Sequence, residues 1–273
     1  MRPRRSVRRA RTAAIGLLLA ASSAVGAVTA APPAAADPPS RPNIVVVNTD
    51  DQRFDSLYAC LPDIGLPIPD RRTPPTAGST TPPASDCPMP NVKADLMAHG
   101  VTFAESFVTT SLCCPSRASL FLGEFAHRTG VLTNEKPNGG FSAFRDLQDS
   151  TVARWLHDSG YRTSLIGKYL NQYDSCASVP SCSVPLGWDD WHAEITDGDV
   201  DYTDYQLADS QGNGQAVATT YTSQYSTTVL GQKAVSFIRD TETNHPTQPL
   251  FLYLAPFAPH PDAVPATGVP FPV

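Results

Sequence analysis

The clearest signal along the chain is a set of short apolar runs that stop at polar or charged residues. Ile44-Val45-Val46-Val47 is unbroken and β-branched, begins just after Pro42 and is followed by Asp50-Asp51, the pattern of a strand buried on both faces. Tyr161 to Ile166 and Pro249 to Leu254 read as further strands, the second buried like the first. Between them Val229, Leu230, Ala234, Phe237 and Ile238 recur at helical spacing, which predicts a helix over about Thr227 to Thr241.

Punctuating residues divide these elements. Nine prolines fall between Leu61 and Pro90, interleaved with Gly, Ser and Thr, so that stretch is expected to be a surface insertion without regular structure. Asn91 can cap a helix reaching His99, with Gly100 as its stop and Val101-Thr102-Phe103 extended beyond it. Asp149 or Ser150 can cap a second helix through His157, ended by Gly160. Helices alternating with buried strands predict an α/β fold, a largely parallel or mixed sheet flanked by helices. Ligands of such sheets collect at the carboxyl ends of strands. Asp50-Asp51, Gly167-Lys168 and His260 all follow predicted strands, so the topology can bring them together.

The first forty residues change the charge balance. Arg2, Arg4, Arg5, Arg8, Arg9 and Arg11 precede an apolar run from about Ala13 to Ala30, and Ala34-Ala35-Ala36 precedes Asp37. This is the order of a signal peptide at 1–36, with cleavage after Ala36; the secretory and twin-arginine routes both stay open, and no stable membrane anchor is expected. Without those six arginines the chain keeps 14 basic against 26 acidic residues, so a basic nucleic-acid groove is not expected. About 235 residues remain, enough for one core. An exported chain can form disulfides, and the spacing suggests Cys60 with Cys87 and Cys176 with Cys182. Cys113 and Cys114 are neighbours, which can hardly bond to each other without strain, and need another explanation.

That explanation lies in the run Ser111-Leu112-Cys113-Cys114-Pro115-Ser116-Arg117-Ala118-Ser119-Leu120-Phe121-Leu122-Gly123. Its Cys-x-Pro-Ser-Arg core, followed by an apolar helical segment and a glycine, resembles the signature of the formylglycine-dependent sulfatases. The likeness runs from Arg41-Pro42-Asn43 to the end of the chain. It implies an alkaline-phosphatase-like fold, with 37–273 as the N-terminal portion of a catalytic domain. It also implies that Cys113 is converted by a formylglycine-generating enzyme to an aldehyde whose hydrate attacks the sulfur of a sulfate ester.

The remaining roles follow from the same resemblance, residue by residue. Asp50 and Asp51 match the family's first two metal ligands, with residue 113 as a third, for Ca²⁺ or Mg²⁺. Adjacent Asn48 and Gln52 offer further oxygens on a weaker claim. Arg117 matches the arginine that holds the hydrated aldehyde, Lys168 the lysine that reaches nucleophile and sulfate, and His260, in Ala258-Pro259-His260-Pro261, the histidine near the leaving oxygen. His127 is expected to be structural.

Gly167-Lys168-Tyr169-Leu170-Asn171-x-Tyr173 and Val184-Pro185-Leu186-Gly187-Trp188 are similar to the N-acetylglucosamine-6-sulfatase branch, which also lacks a histidine at the position of Leu170. A sulfated carbohydrate is therefore the favoured substrate, with aryl sulfates as the other sulfate class. The family's Asp-Asn or Asp-His pair and second lysine come later than Val273, so the chain is expected to be an N-terminal fragment, incomplete at its C-terminus. Two other functions stay open: a formylglycine-dependent phosphonate monoester or phosphodiester hydrolase, and an inactive secreted fragment that binds sulfated sugars.

Overall fold

A computed structural model describes residues 41–53, 57, 89–103, 106–174, 176–177, 179–196 and 201–261. The expected signal peptide, the Pro-rich stretch up to residue 88 and the Cys60–Cys87 pairing lie outside the described residues.

The strands are β1 (Ile44–Val47), β2 (Arg162–Gly167), β3 (Cys182–Ser183), β4 (Asp190–Ile195), β5 (Tyr205–Ser210), β6 (Gln215–Tyr221) and β7 (Leu250–Ala255). They form one sheet in the order β1-β7-β2-β4-β5-β6-β3. Pairing is parallel from β1 through β7 and β2 to β4, and antiparallel from β4 through β5 and β6 to β3. The α/β class with a mixed sheet is thus as the pattern predicts, with a larger antiparallel share. The β5–β6 hairpin turns at Gln211-Gly212-Asn213-Gly214, where both glycines have positive φ (71° and 74°), the conformation that tight hairpins demand.

The helices are α1 (Cys113–Leu122), α2 (Ala126–Thr129), α3 (Gly140–Phe144), α4 (Val152–Asp158) and α5 (Ser226–Asn244). Along α5 the predicted positions Leu230, Ala234 and Phe237 pack on Ile166, Leu207, Leu250 and Leu252, closing one face of the sheet. The other face packs against α1, α3 and α4 through an aromatic cluster. Phe121 sits at its centre, 5.0 Å from the ring of Tyr253 and 5.5 Å from that of Tyr169. Each fully buried side chain of this size contributes roughly 1.5–3 kcal/mol, so this face anchors α1 firmly.

Several local expectations change. β1 is half exposed rather than buried, with Val45 and Val47 at 50% and 55%, because it is an edge strand hydrogen-bonded only to β7 among the described residues. Asn91 is itself helical (φ −69°, ψ −40°) and caps nothing; the segment Val92–Met97 is wide-turned and buries no residue. Val101 and Phe103 are exposed and outside any strand. The cap of α4 is Thr151, whose hydroxyl accepts from the Arg154 amide, rather than Asp149 or Ser150, which belong to the preceding 3₁₀ turn. Cys176 and Cys182 are joined in a disulfide. No helix among the described residues is long and apolar enough to cross a membrane.

Candidate active site

Because β1, β7 and β2 run parallel, their carboxyl ends lie along one edge of the sheet, and the residues after them meet there. Asp50 follows β1, Lys168 follows β2, and the loop carrying His260 follows β7. The first turn of α1 supplies Cys113 and Arg117.

Backbone constraints fix each arrival. Gly167 has φ +105°, and a Cβ there would lie 2.2 Å from the Ala255 carbonyl oxygen, so only glycine lets β2 and β7 approach this closely. The Lys168 amide then donates to the same oxygen at 2.8 Å. Asp51 is a non-glycine residue in the left-handed region, φ 52°, a conformation that costs energy and turns its carboxylate toward Cys113. α1 ends at Gly123 in the left-handed conformation (φ 68°), as the glycine after the apolar segment predicts.

The two cysteines have separate environments. Cys114 is wholly buried; its amide donates to Asn134 Oδ1 at 2.9 Å and its sulfur accepts from the Asn171 amide at 3.1 Å. Burial pushes its thiol up to about 11, so at neutral pH it stays protonated and unreactive. Cys113 is half-buried and opens onto a cleft of about 240 Å³ shared with Asp50, Asp51, Ser116 and Arg117. A larger depression, of about 840 Å³, runs along the solvent side of α5 near Gln232 and Arg239. It gathers none of the candidate residues.

Arg117 is 3% exposed, donates to the Lys168 carbonyl at 2.7 Å and pairs with Asp50 Oδ1 at 3.3 Å. Lys168 is 1% exposed, pairs with Asp50 Oδ2 and lies 4.9 Å above the ring of Phe257. Burial alone would push the Asp50 carboxyl up, but Arg117 and Lys168 outweigh it and hold Asp50 below the usual carboxylate range. His260 stands at the rim, its Nε2 3.5 Å from Asp51 and its Nδ1 2.7 Å from the Pro261 carbonyl oxygen. His127 is exposed and stacks on Phe125 away from the cleft. Asn48 donates to the Tyr253 hydroxyl and Gln52 to Met89 Sδ, so both amides have protein partners.

Asp50, Asp51 and Cys113 each offer an atom within 4.8 Å of the others, close enough to share one cation. Two carboxylates fit a hard divalent ion, whereas the cysteine sulfur is a soft donor, so the set is consistent only when residue 113 presents oxygen. One buried group here has no counterpart in the sequence pattern. Glu194 of β4 is 2% exposed, and neither carboxylate oxygen has a hydrogen-bond partner among the described residues.

Comparison with known proteins puts this geometry in a family. The sulfatase family profile matches residues 42–269. An arylsulfatase of Volvox carteri is 32% identical over 223 residues, 81% of this chain and 29% of the relative. The N-acetylglucosamine-6-sulfatase of Homo sapiens is 30% identical over the same length, 81% of this chain and 34% of the relative. This chain thus spans about a third of the length of these curated relatives. Among solved structures, one protein in complex with its substrate D-glucosamine-2-N,6-O-disulfate superposes with a TM-score of 0.53 at 23% identity, covering 81% of this chain and 35% of that one. A second, from a glycosaminoglycan-metabolism locus of Bacteroides thetaiotaomicron, gives a TM-score of 0.57 at 18% identity, covering 81% and 45%. The structural likenesses establish the shared fold, and with the profile matching most of the chain around the Cys113–Arg117 turn, the chain belongs to the sulfatase family.

Proposed function

We propose that this chain carries the nucleophile of an exported enzyme that hydrolyses sulfate esters through formylglycine at residue 113. The observation that carries the reading is the convergence of Asp50, Cys113, Arg117 and Lys168 on one cleft, with Asp51 and His260 at its rim.

Residue 113 is the first residue of α1, where unpaired backbone N–H groups and the helix dipole favour an anion, whether sulfate or a developing oxyanion. Hydration of an aldehyde there gives two hydroxyls, one to attack sulfur and one to expel sulfate by re-forming the carbonyl, a release step that serine cannot perform. Arg117 orients the hydrate with its rigid, permanently charged fork. The Lys168 ammonium stabilises negative charge on the sulfate oxygens, and His260 delivers a proton to the leaving alcohol oxygen. Asp50 and Asp51, with the oxygen of residue 113, would hold a divalent cation, Ca²⁺ or Mg²⁺, which adds positive charge at the sulfate.

A carbohydrate sulfate is the substrate class we favour, since the human relative is an N-acetylglucosamine-6-sulfatase and the first solved neighbour was captured with a sulfated glucosamine. Export follows from the N-terminal arginine and apolar runs, and the relatives include an extracellular sulfatase homologue of Drosophila melanogaster.

The test is co-expression with a formylglycine-generating enzyme, followed by peptide mass spectrometry across residue 113. An aldehyde at Cys113 and an intact thiol at Cys114 are expected. A protein that turns over sulfate esters with an unmodified thiol at Cys113 would sink the mechanism. Matched sulfate and phosphate esters then separate this reading from phosphonate monoester or phosphodiester hydrolysis.

A further inference from the structure

Two buried cations share one buried carboxylate at this site: Asp50 faces both Arg117 and Lys168. Glu194, also buried, lies on the strand next to the one that delivers Lys168. Gly167 of β2 pairs in parallel with Ala193 of β4, so Lys168 and Glu194 are the next residues along neighbouring strands, which lie about 4.8 Å apart. Lys168 and Arg117 both act on Glu194 electrostatically, favouring its ionised form. Glu194 nonetheless has no hydrogen bond among the described residues, and neither has the hydroxyl of Tyr205, the neighbouring side chain whose titration responds to Glu194's charge.

We propose that Glu194 is a positioning residue for Lys168, a reserve counter-charge that keeps its proton while Asp50 pairs with the ammonium and releases it when Asp50 is engaged elsewhere. An ionised carboxylate without partners in the interior is too costly to persist, so in the resting protein Glu194 is the neutral acid. Burial pushes it up to about 8, against the pull of Lys168 and Arg117 and with a further push from Asp50. Drawing the Asp50 charge toward a cation removes that push and leaves Lys168 without its partner. Glu194 then ionises and takes over from Asp50 as the counter-charge of the lysine.

The cation arm of this inference rests on the site reading above; the electrostatic arm does not. Both are read from the side-chain carboxyl resonances of the ¹³C-labelled full chain followed against pH, with E194Q assigning the Glu194 signal. In the wild type the signal is expected to titrate near pH 8. D50N should lower that midpoint by about one pH unit or more, the scale on which a neighbouring charge acts. An unchanged midpoint in folded D50N overturns the proposal. Should D50N not fold, K168M carries the same test with opposite sign: the midpoint must rise, and constancy refutes the coupling. Millimolar Ca²⁺ should reproduce the effect of D50N in the wild type. Ca²⁺ that moves the Asp50 and Asp51 resonances without moving Glu194 defeats the inference. Ca²⁺ that moves none of them defeats the cation reading instead, and the midpoints in D50N and K168M then decide the coupling.

Discussion

Two buried polar clusters sit on this sheet, and they differ in whether their hydrogen bonds close. At the antiparallel end, His192 of β4 lies between Asp190 and Asp209, with Nδ1 2.5 Å from Asp209 and Nε2 3.2 Å from Asp190. Asp209 also receives the Tyr221 hydroxyl at 2.7 Å and the Lys233 ammonium at 3.0 Å, and Asp190 receives Ser164 at 2.8 Å. With His192 protonated, two cations balance two carboxylates, and the group ties β2, β4, β5, β6 and α5 together. At the parallel end, two cations crowd one carboxylate and Glu194 has no hydrogen bond among the described residues. Closed networks stiffen a fold, whereas open ones leave polar capacity for something that is not yet there.

The largest effect that could break this contrast is chemical. Cys113→Ala is expected to lower sulfate-ester turnover by on the order of 10³-fold or more, while Cys114→Ala mainly lowers stability; equal and complete loss in both would erase the division between the two cysteines. Next comes the packing that supports the open cluster. Gly167→Ala places a Cβ against the Ala255 carbonyl at a positive φ and should destabilise the chain by more than about 3 kcal/mol in a urea titration. The closed cluster is tested by Asp209→Ala, which takes the carboxylate from Lys233 and leaves His192 with Asp190 alone, and should cost roughly 3 kcal/mol by the same measurement.

The pH dependence sharpens the comparison further. Burial works against protonation of His192, but its bonds to Asp190 and Asp209 outweigh it and raise the group above its ordinary 6.5. Its contribution is therefore full below about pH 6.5 and is lost as pH rises through the higher folded value. Burial likewise opposes ionisation of Asp209, yet His192, Tyr221 and Lys233 bring it down to about 2. That contribution is present above about pH 4 and is lost as pH falls toward 2. Thermal melts across pH should show the closed cluster contributing most between about pH 4 and 6.5, and Asp209→Ala should flatten the acid limb. The smallest change is Tyr221→Phe, which removes one hydrogen bond to Asp209 and should cost about 1 kcal/mol.

How legible each cluster was depends on the pattern that carries it. Asp50 and His260 follow unbroken apolar runs and Lys168 follows the predicted strand Tyr161 to Ile166, and such segments fix where a strand stops, so their meeting at one sheet edge could be read in advance. Cys113 and Arg117 were legible through the ordered motif that contains them. Glu194 was not. In Asp190-Trp191-His192-Ala193-Glu194-Ile195 the alternation reveals two faces but not what covers the polar one, and a polar face ordinarily meets water. Here α5 lies over it, so three residues that look solvated are partly or wholly buried. The half-exposure of β1 was hidden for the converse reason: four β-branched residues predict two covered faces, yet an edge position leaves one uncovered. The β5–β6 hairpin had a usable signal in Gly212-Asn213-Gly214.

The bonds at Cys114 have a consequence for its neighbour. Asn134 grips its amide and Asn171 its sulfur, from loops far apart in sequence, while the aromatic cluster fixes the helix below. Residue 113 is therefore aimed by the adjacent residue, and among the described residues no hydrogen bond or disulfide ties its own side chain to the fold. A change of functional group at such a position leaves the hydrogen bonds of Cys114 and the aromatic packing beneath it as they are.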